Sequence, residues 1–182
     1  MPLKFKPMSV KGVVLVESRV FEDERGFFME VFKRSDFLGA GIDFIPVQEN
    51  HSLSKKGVLR GLHYQTDPYV QGKLVRVVRG RVFDVAVDLR KSSATFGRWA
   101  GEELSERNRL MLYIPRGFAH GFISLEDGTE VVYLADSQYS KANERGVVWN
   151  DPEIGVAWPS GEPILNERDA GWPRLSDALL FP

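Results

Sequence analysis

Three side chains in this sequence are well suited to acid–base chemistry, because imidazole is the group whose ordinary pKa lies near neutrality; they are His51, His63 and His120. His63 follows Arg60 by three positions, and Gly61 stands between them. Strict alternation along a strand would place the imidazole and the guanidinium on opposite faces. A bulge near Gly61 would let both reach one pocket, which is a common use of glycine within a strand. From spacing alone, a structural role for His63 is as compatible with the sequence as a catalytic one, and periodicity favours a solvated surface position for Arg60.

The residues before His120 resemble a metal-binding motif of small β-barrels. Residues 115–120 read Pro-Arg-Gly-Phe-Ala-His and match the Pro-x-Gly-x-x-His pattern of cupins, in which the histidine points into the barrel. The companion cupin pattern, His-x-His followed closely by Glu, is incomplete, because Gln65 stands where the second histidine belongs and the next glutamate is Glu102. Two histidines make a poor site for Zn²⁺ or Fe²⁺, which take three or four protein ligands. We therefore expect a barrel that works without a metal ion.

Short strands must position these side chains. Residues 82–89 give the clearest signal, because apolar residues there alternate with positions that include Asp84 and Asp88. Similar patterns predict strands at residues 13–17, 26–33, 44–50, 59–65, 73–78, 111–114, 120–125 and 129–139. Residues 35–40 alone resemble a helical turn, with Ser35 as its cap. Nine or so strands with little helix predict an all-β fold, a cupin-like double-sheet jelly roll or antiparallel β-barrel.

Alternation also pairs polar side chains outside the histidine segments. Gln48 and Asn50 fall on one face of a predicted strand, and Tyr133 and Tyr139 fall on one face of another. Two tyrosines on one face are more often part of a core or an interface than of a catalytic site.

Length and the last residues predict one domain. The 182 residues fit a single core, so we assign residues 1–182 to one domain. The segment from about residue 151 is rich in proline and weakly periodic, but it contains Trp158, Trp172 and Phe181. Such apolar side chains favour packing against the barrel over disorder.

The overall charge and composition limit the possible partners. Lys and Arg number 24 against 25 Asp and Glu, which argues against nucleic acid or an anionic membrane as the main partner. The sequence has no cysteine, so disulfides, thiolate metal sites and cysteine nucleophiles are excluded, and a reducing compartment suits it. The longest apolar stretch of the N-terminal part, residues 13–16, is too short to cross a bilayer. We expect a cytoplasmic protein.

Seven segments in order resemble the dTDP-4-dehydrorhamnose 3,5-epimerase family over nearly the whole chain. They are residues 25–30, 48–52, 59–65, 72–76, 83–90, 114–122 and 149–152. The resemblance implies a cofactor-free isomerase that inverts C3 and C5, the carbons beside the ketone of a dTDP-4-keto-6-deoxyhexose. That reaction converts dTDP-4-dehydro-6-deoxy-D-glucose to dTDP-4-dehydro-L-rhamnose in dTDP-L-rhamnose biosynthesis.

The resemblance also implies roles for single residues. His63 paired with Asp169 would be the base, Tyr133 on the opposite side of the sugar would be the acid, and Lys73 would stabilise the enolate. No metal, nicotinamide or pyridoxal is expected, because the 4-ketone itself acidifies C3 and C5. Tyr139 would stack on thymine, and the remaining substrate-binding residues would be Arg25, Phe28, Glu30, Gln48, Asn50, Arg60, His120, Glu144 and Arg168.

In similar enzymes the strand that corresponds to residues 25–30 enters the neighbouring subunit's pocket, which implies a homodimer with strand exchange. Two departures from the family pattern bear on specificity. Arg168 stands where a lysine is usual, and Leu-Ala-Asp-Ser at residues 134–137 replaces Lys-Thr-Thr-Asp. One alternative is therefore a single-site epimerase, for C3 or C5, of a specialised deoxysugar pathway. Alternatives of another class are a metal-dependent cupin and a non-catalytic sugar-binding barrel.

Overall fold

A computed structural model describes residues 3–159 and 161–182 and is built almost entirely of strands. The described residues form thirteen strands, two short α-helices and one 3₁₀ turn. In chain order they are β1 (Lys4–Pro7), β2 (Val14–Glu17), β3 (Val20–Asp23), β4 (Gly26–Met29), α1 (Arg34–Gly39), β5 (Gln48–Ser54), β6 (Leu59–Gln65), β7 (Lys73–Arg79), β8 (Arg81–Asp88), β9 (Trp99–Ser105), β10 (Met111–Ile114), β11 (Phe118–Ser124), β12 (Thr129–Ala135), β13 (Glu144–Gly146), α2 (Glu167–Ala170) and the 3₁₀ turn (Leu175–Asp177). The predicted all-β class with little helix is confirmed.

Two antiparallel sheets enclose the core, as the predicted jelly roll requires. The larger sheet has the order β1-β2-β10-β7-β12-β5 and the smaller β13-β6-β11-β8-β9, while β3 and β4 form a separate ribbon. Val75 and Val131 of the larger sheet pack with Val82 and Phe122 of the smaller one. Each such fully buried side chain stabilises the fold by about 1.5–3 kcal/mol. The alternating pattern thus places one face of each sheet in a shared core.

Several predicted boundaries were wrong. Strand β4 ends at Met29 and β12 at Ala135, earlier than the predicted residues 33 and 139, and β5 runs from Gln48 to Ser54 rather than from 44 to 50. The prediction missed β1, β3, β9 and β13. The sequence of β9, Trp-Ala-Gly-Glu-Glu-Leu-Ser, lacks clean alternation, and pairing with β8 along seven positions makes it a strand.

The predicted Ser35 cap of the first helix was also wrong. Helix α1 begins at Arg34 with Lys33 as its N-cap, and no side chain caps it. Packing holds the helix instead, because Phe37 is fully buried and its ring contacts those of Phe5, Phe32, Phe44 and Tyr113. Tertiary contacts therefore replace the local cap.

Residues after 151 pack beside the smaller sheet. Buried Asp151 accepts hydrogen bonds from the backbone N–H groups of Glu153, Ile154 and Leu175. Trp158 and Phe181 pack against a hydrophobic cluster of the smaller sheet. The assignment of residues 1–182 to one domain stays a prediction, and its residues 1, 2 and 160 lie outside the described part.

Within the described part of the chain, no helix has the length and apolar character needed to span a membrane.

Candidate active site

A cavity of about 350 Å³ lies between the two sheets. Strands β5, β6, β7, β11, β12 and β13 contribute its walls together with helix α2. All four predicted catalytic residues line it, as do six of the predicted substrate-binding residues: His63, Lys73, Tyr133 and Asp169, with Asn50, Arg60, His120, Tyr139, Glu144 and Arg168.

A bulge in β6 brings Arg60 and His63 to the same cavity. Pairing with β11 shifts register, since His120 lies opposite His63 but Phe122 lies opposite Arg60. Gly61 has a φ of +140°, and a Cβ there would lie 2.5 Å from a backbone atom of β11. Only glycine fits this close approach without strain. Arg60 is then anchored by Ser54 Oγ, which accepts from its Nε at 3.1 Å.

His63 and Asp169 form a hydrogen-bonded pair. His63 Nε2 lies 2.7 Å from Asp169 Oδ1, and the aspartate is only 1% exposed. Asn166 caps helix α2 by accepting from the Asp169 backbone N–H at 2.7 Å. Burial tends to raise the pKa of Asp169, but hydrogen bonds from His63 and Gly61 outweigh it and hold that pKa below its usual value. The carboxylate is therefore charged and able to orient the imidazole.

Trp172 packs edge to face against His63, with 6.0 Å between ring centroids. The indole lies over Gly146, where an added Cβ would come within 2.5 Å of it. A glycine at this position of β13 therefore lets the C-terminal segment reach the histidine.

Lys73 and Tyr133 lie on the neighbouring strands β7 and β12. Lys73 is 8% exposed, and its Nζ lies 5.6 Å from the centre of the Tyr133 ring. Burial lowers the pKa of Lys73 to about 8, against the attraction of Asp84 and Glu144. Burial raises the pKa of Tyr133, so its hydroxyl keeps its proton at neutral pH. The cavity therefore contains a cation and a phenolic proton donor side by side.

His120 pairs with a second buried carboxylate. Its Nε2 lies 2.9 Å and 3.1 Å from the two oxygens of Asp84. Burial lowers the pKa of His120 despite this partner. Sequence reasoning assigned no role to Asp84, although a carboxylate in the middle of an apolar strand was a usable signal, because such a group is costly to bury unpaired. It also assigned none to Ser52, whose buried hydroxyl faces the cavity with no hydrogen-bond partner in the described chain.

Tyr139 and Arg168 meet at Glu144, at the polar rim of the cavity. Glu144 Oε2 accepts from the Tyr139 hydroxyl at 2.9 Å and from Arg168 Nη1 at 2.7 Å. Tyr139 lies beyond the end of β12, so alternation did not place it there. Its backbone N–H instead donates to Gln48 Oε1 at 2.8 Å, and Gln48 Nε2 donates to Asn50 Oδ1 at 3.0 Å. Gln48 thus supports the site from behind the residues that line it.

Besides Gln48, three predicted binding residues do not line the cavity of their own chain. Arg25 and Phe28 belong to the β3–β4 ribbon and Glu30 follows it. Arg25 is paired with Asp23, and Phe28 is 64% exposed.

Comparisons with known proteins identify the family of the chain. A sequence model of the dTDP-4-dehydrorhamnose 3,5-epimerase family matches residues 7–177. The chain belongs to this family. A family member from Shigella flexneri, named dTDP-4-dehydrorhamnose 3,5-epimerase, is 53% identical over 175 residues that cover 94% of this chain and 96% of the relative.

Solved structures of family members superpose closely. The dTDP-4-dehydrorhamnose 3,5-epimerase of Sulfolobus tokodaii is 45% identical, with a TM-score of 0.93 and coverage of 100% of both chains. The dTDP-6-deoxy-D-glucose-3,5-epimerase of Legionella pneumophila, solved with dTDP-4-keto-L-rhamnose, is 40% identical, with a TM-score of 0.93 and coverage of 96% of this chain and 94% of the relative.

Proposed function

We propose that this protein is the isomerase that converts dTDP-4-dehydro-6-deoxy-D-glucose to dTDP-4-dehydro-L-rhamnose by epimerisation at C3 and C5. The observation that carries the proposal is one cavity that holds the His63–Asp169 pair, Lys73 and Tyr133. These groups supply a base, a cation and an acid, which are the three needs of epimerisation beside a ketone.

Proton removal falls to His63. Asp169 accepts a hydrogen bond from Nε2 and so leaves Nδ1 as the basic nitrogen. As the imidazole takes a proton from C3 or C5 it becomes a cation, and the adjacent buried carboxylate stabilises that cation. Trp172 limits rotation of the ring and keeps the base in position.

Lys73 stabilises the enolate. The electrons released from the C–H bond move to the ketone oxygen, which becomes negatively charged. A buried ammonium group interacts with this charge more strongly than a solvated one, because water does not screen it. Lys73 thereby stabilises the transition state, in which charge develops on this oxygen, more than the bound neutral ketone.

Tyr133 completes inversion by giving a proton to the opposite face of the carbon. Its burial keeps the hydroxyl protonated, and its strand β12 belongs to the opposite sheet from His63 on β6. A base and an acid on opposite walls fit a reaction in which the proton leaves one face of the sugar and returns to the other.

The rim of the cavity suits the nucleotide. Arg60 and Arg168 carry forked guanidinium groups that match a diphosphate, and Tyr139 offers a ring for thymine to stack on. The Legionella pneumophila relative was solved with dTDP-4-keto-L-rhamnose, which supports a dTDP-sugar as the substrate here. Gln48, Asn50, His120 and Glu144 would contact the sugar or nucleotide.

Arg25, Phe28 and Glu30 would serve the pocket of a second copy. The β3–β4 ribbon forms a sheet separate from the other two, and its Phe27 and Phe28 are more than half exposed. Such a ribbon is well placed for strand exchange in a homodimer. The cytoplasm is the compartment proposed for this reaction, and neither nucleic acid nor a membrane is a proposed partner.

The proposed chemistry needs no cofactor, because the ketone acidifies both carbons. The metal-dependent cupin alternative needs a cluster of ligands, yet no three His, Cys, Asp or Glu side chains among residues 3–159 and 161–182 are grouped to hold a metal ion. Sugar binding alone does not require a histidine paired with Asp169 and a tyrosine on the opposite wall, so these groups favour catalysis over a non-catalytic sugar-binding barrel.

The deciding experiment is incubation with dTDP-4-keto-6-deoxy-D-glucose in D₂O, followed by NMR at C3 and C5. Deuterium with inverted configuration at both carbons is expected, at an unchanged rate after exhaustive chelation. Inversion at one carbon alone would establish the single-site alternative. Loss of turnover on chelation, restored by one metal, would overturn the cofactor-free mechanism.

A further inference from the structure

We propose that Asp84 is a positioning residue of the active site, whose single buried carboxylate orients His120 and keeps Lys73 in its charged form. The inference rests on the proposed epimerisation, in which Lys73 stabilises the enolate. It assigns a task to a residue that touches neither the nucleotide rim nor the His63–Asp169 pair.

Asp84 lies in the middle of β8 and is 0% exposed. A carboxylate in such a place costs several kcal/mol unless charged or hydrogen-bonding groups compensate it. In the described chain, its side-chain hydrogen bonds come from His120 alone, at 2.9 Å and 3.1 Å. Strand β8 pairs with β11 and so brings the two residues together beneath the cavity. The carboxylate of Asp84 therefore acts on the site through His120 and Lys73.

The first effect is on His120. A charged carboxylate only accepts, so the proton of the neutral ring must be on Nε2. Nδ1 is then the acceptor nitrogen that His120 can offer to a hydroxyl group of the sugar. Without Asp84 the ring would be free to adopt the other tautomer or to turn over.

The second effect is on Lys73, which faces four ionisable groups from four strands: Asp84, His120, Tyr133 and Glu144. Burial lowers its pKa to about 8, and the attraction of Asp84 is the larger of the two influences that oppose burial, ahead of Glu144. Nζ makes no hydrogen bond to any described residue, so its N–H groups remain available to the ketone oxygen. The carboxylate of Asp84 thus favours the charged form of Lys73 near neutral pH.

The test is Asp84→Asn, which keeps the shape and a hydrogen-bond acceptor but removes the charge. Two quantities are measured in the full-length protein: the pKa of Lys73, by NMR of ¹³C-labelled lysine assigned with Lys73→Arg, and the alkaline limb of kcat/KM. Both should move to lower pH by about one unit or more, the usual effect of losing an opposite charge nearby. An unmoved Lys73 pKa in the folded variant would overturn the inference.

Asp88→Asn is the matched control. Asp88 is equally buried on the same strand, but it is bonded to Arg90, Ser93 and Thr95 and does not line the cavity. This variant should lose stability and leave the Lys73 pKa in place. An equal shift in both variants would mean that any lost buried carboxylate has this effect, and the specific role of Asp84 would be rejected.

Two further readouts separate the inference from its premises. ¹⁵N NMR of the wild-type protein should show the Nε2–H tautomer of His120, and the Nδ1–H tautomer would overturn the inference even where Asp84→Asn does not fold. Wild-type protein that fails to epimerise refutes the proposed function, whereas the Lys73 titration needs no turnover and still tests the electrostatic link.

Discussion

His63 Nε2 lies 2.7 Å from Asp169 Oδ1, although the two residues are 106 positions apart in the chain. The contact depends on two local features: the bulge at Gly61, which turns His63 into the cavity, and the Asn166 cap, which starts the short helix that carries Asp169. A base assembled this way is a unit whose members act through one another.

Replacement of His63 and Asp169 should therefore have non-additive effects. His63→Ala should abolish deuterium exchange at both carbons, because the nitrogen that takes the proton is gone. Asp169→Asn should slow exchange by roughly 10²-fold, since the imidazole remains but loses its orienting charge. The double variant should be no slower than His63→Ala. A double variant that is much slower, with unchanged circular dichroism, would mean that the two residues have separate roles.

Tyr133→Phe should separate exchange from inversion. The substitution keeps the ring and removes only the proton donor, so the fold and the contact with Lys73 should survive. In D₂O the variant should still exchange protons through His63 with retained configuration, while inverted product falls by roughly 10²-fold or more. NMR of C5 reports both quantities in one sample. Inverted product at nearly the wild-type rate would assign the acid to another group or to water.

Activity should decline on the alkaline side as Lys73 loses its proton. Burial lowers the pKa of this lysine to about 8, and only the form that predominates below that pH carries the charge that stabilises an enolate. The rate kcat/KM should therefore fall as pH rises through about 8. Tyr133 does not complicate this limb, because burial raises its pKa beyond the ordinary value of a phenol, which already lies well above pH 8.

Lys73→Arg provides the control for that limb. A guanidinium stays protonated throughout this range, so the decline near pH 8 should disappear even if the variant is slower. A decline that persists unchanged in Lys73→Arg would assign the limb to another group.

Strand exchange predicts complementation between inactive subunits. In a mixture of Arg25→Ala and His63→Ala, each heterodimer would contain one pocket with both residues intact. Random pairing makes half of the dimers mixed, so about one quarter of wild-type activity should return. The control mixture, His63→Ala with Asp169→Asn, contains no intact pocket and should not recover. No recovery in the first mixture, with mixed dimers verified by mass, would show that Arg25 does not act in the neighbouring pocket.

The sequence by itself determined the class of fold and most of the side chains that meet in the cavity. Alternation at residues 82–89 predicted a buried strand because side chains point to opposite faces in turn, and that regularity needs no knowledge of the rest of the chain. The spacing of Arg60, Gly61 and His63 showed that both side chains could reach one pocket only through a bulge, although periodicity by itself favoured a surface position for Arg60. Motif resemblance then pointed to Asp169 and Tyr133.

Only the tertiary structure decided how those residues are grouped. Local periodicity assigns a face but not a partner, so the pairing of Asp84 with His120 emerged only when β8 lay beside β11. Tyr139 reaches the cavity from beyond the end of its predicted strand because Gln48 binds its backbone. The ring of Phe37, rather than the hydroxyl of Ser35, secures the first helix. In each case the deciding free energy comes from contacts between residues far apart in sequence, which a local pattern does not contain.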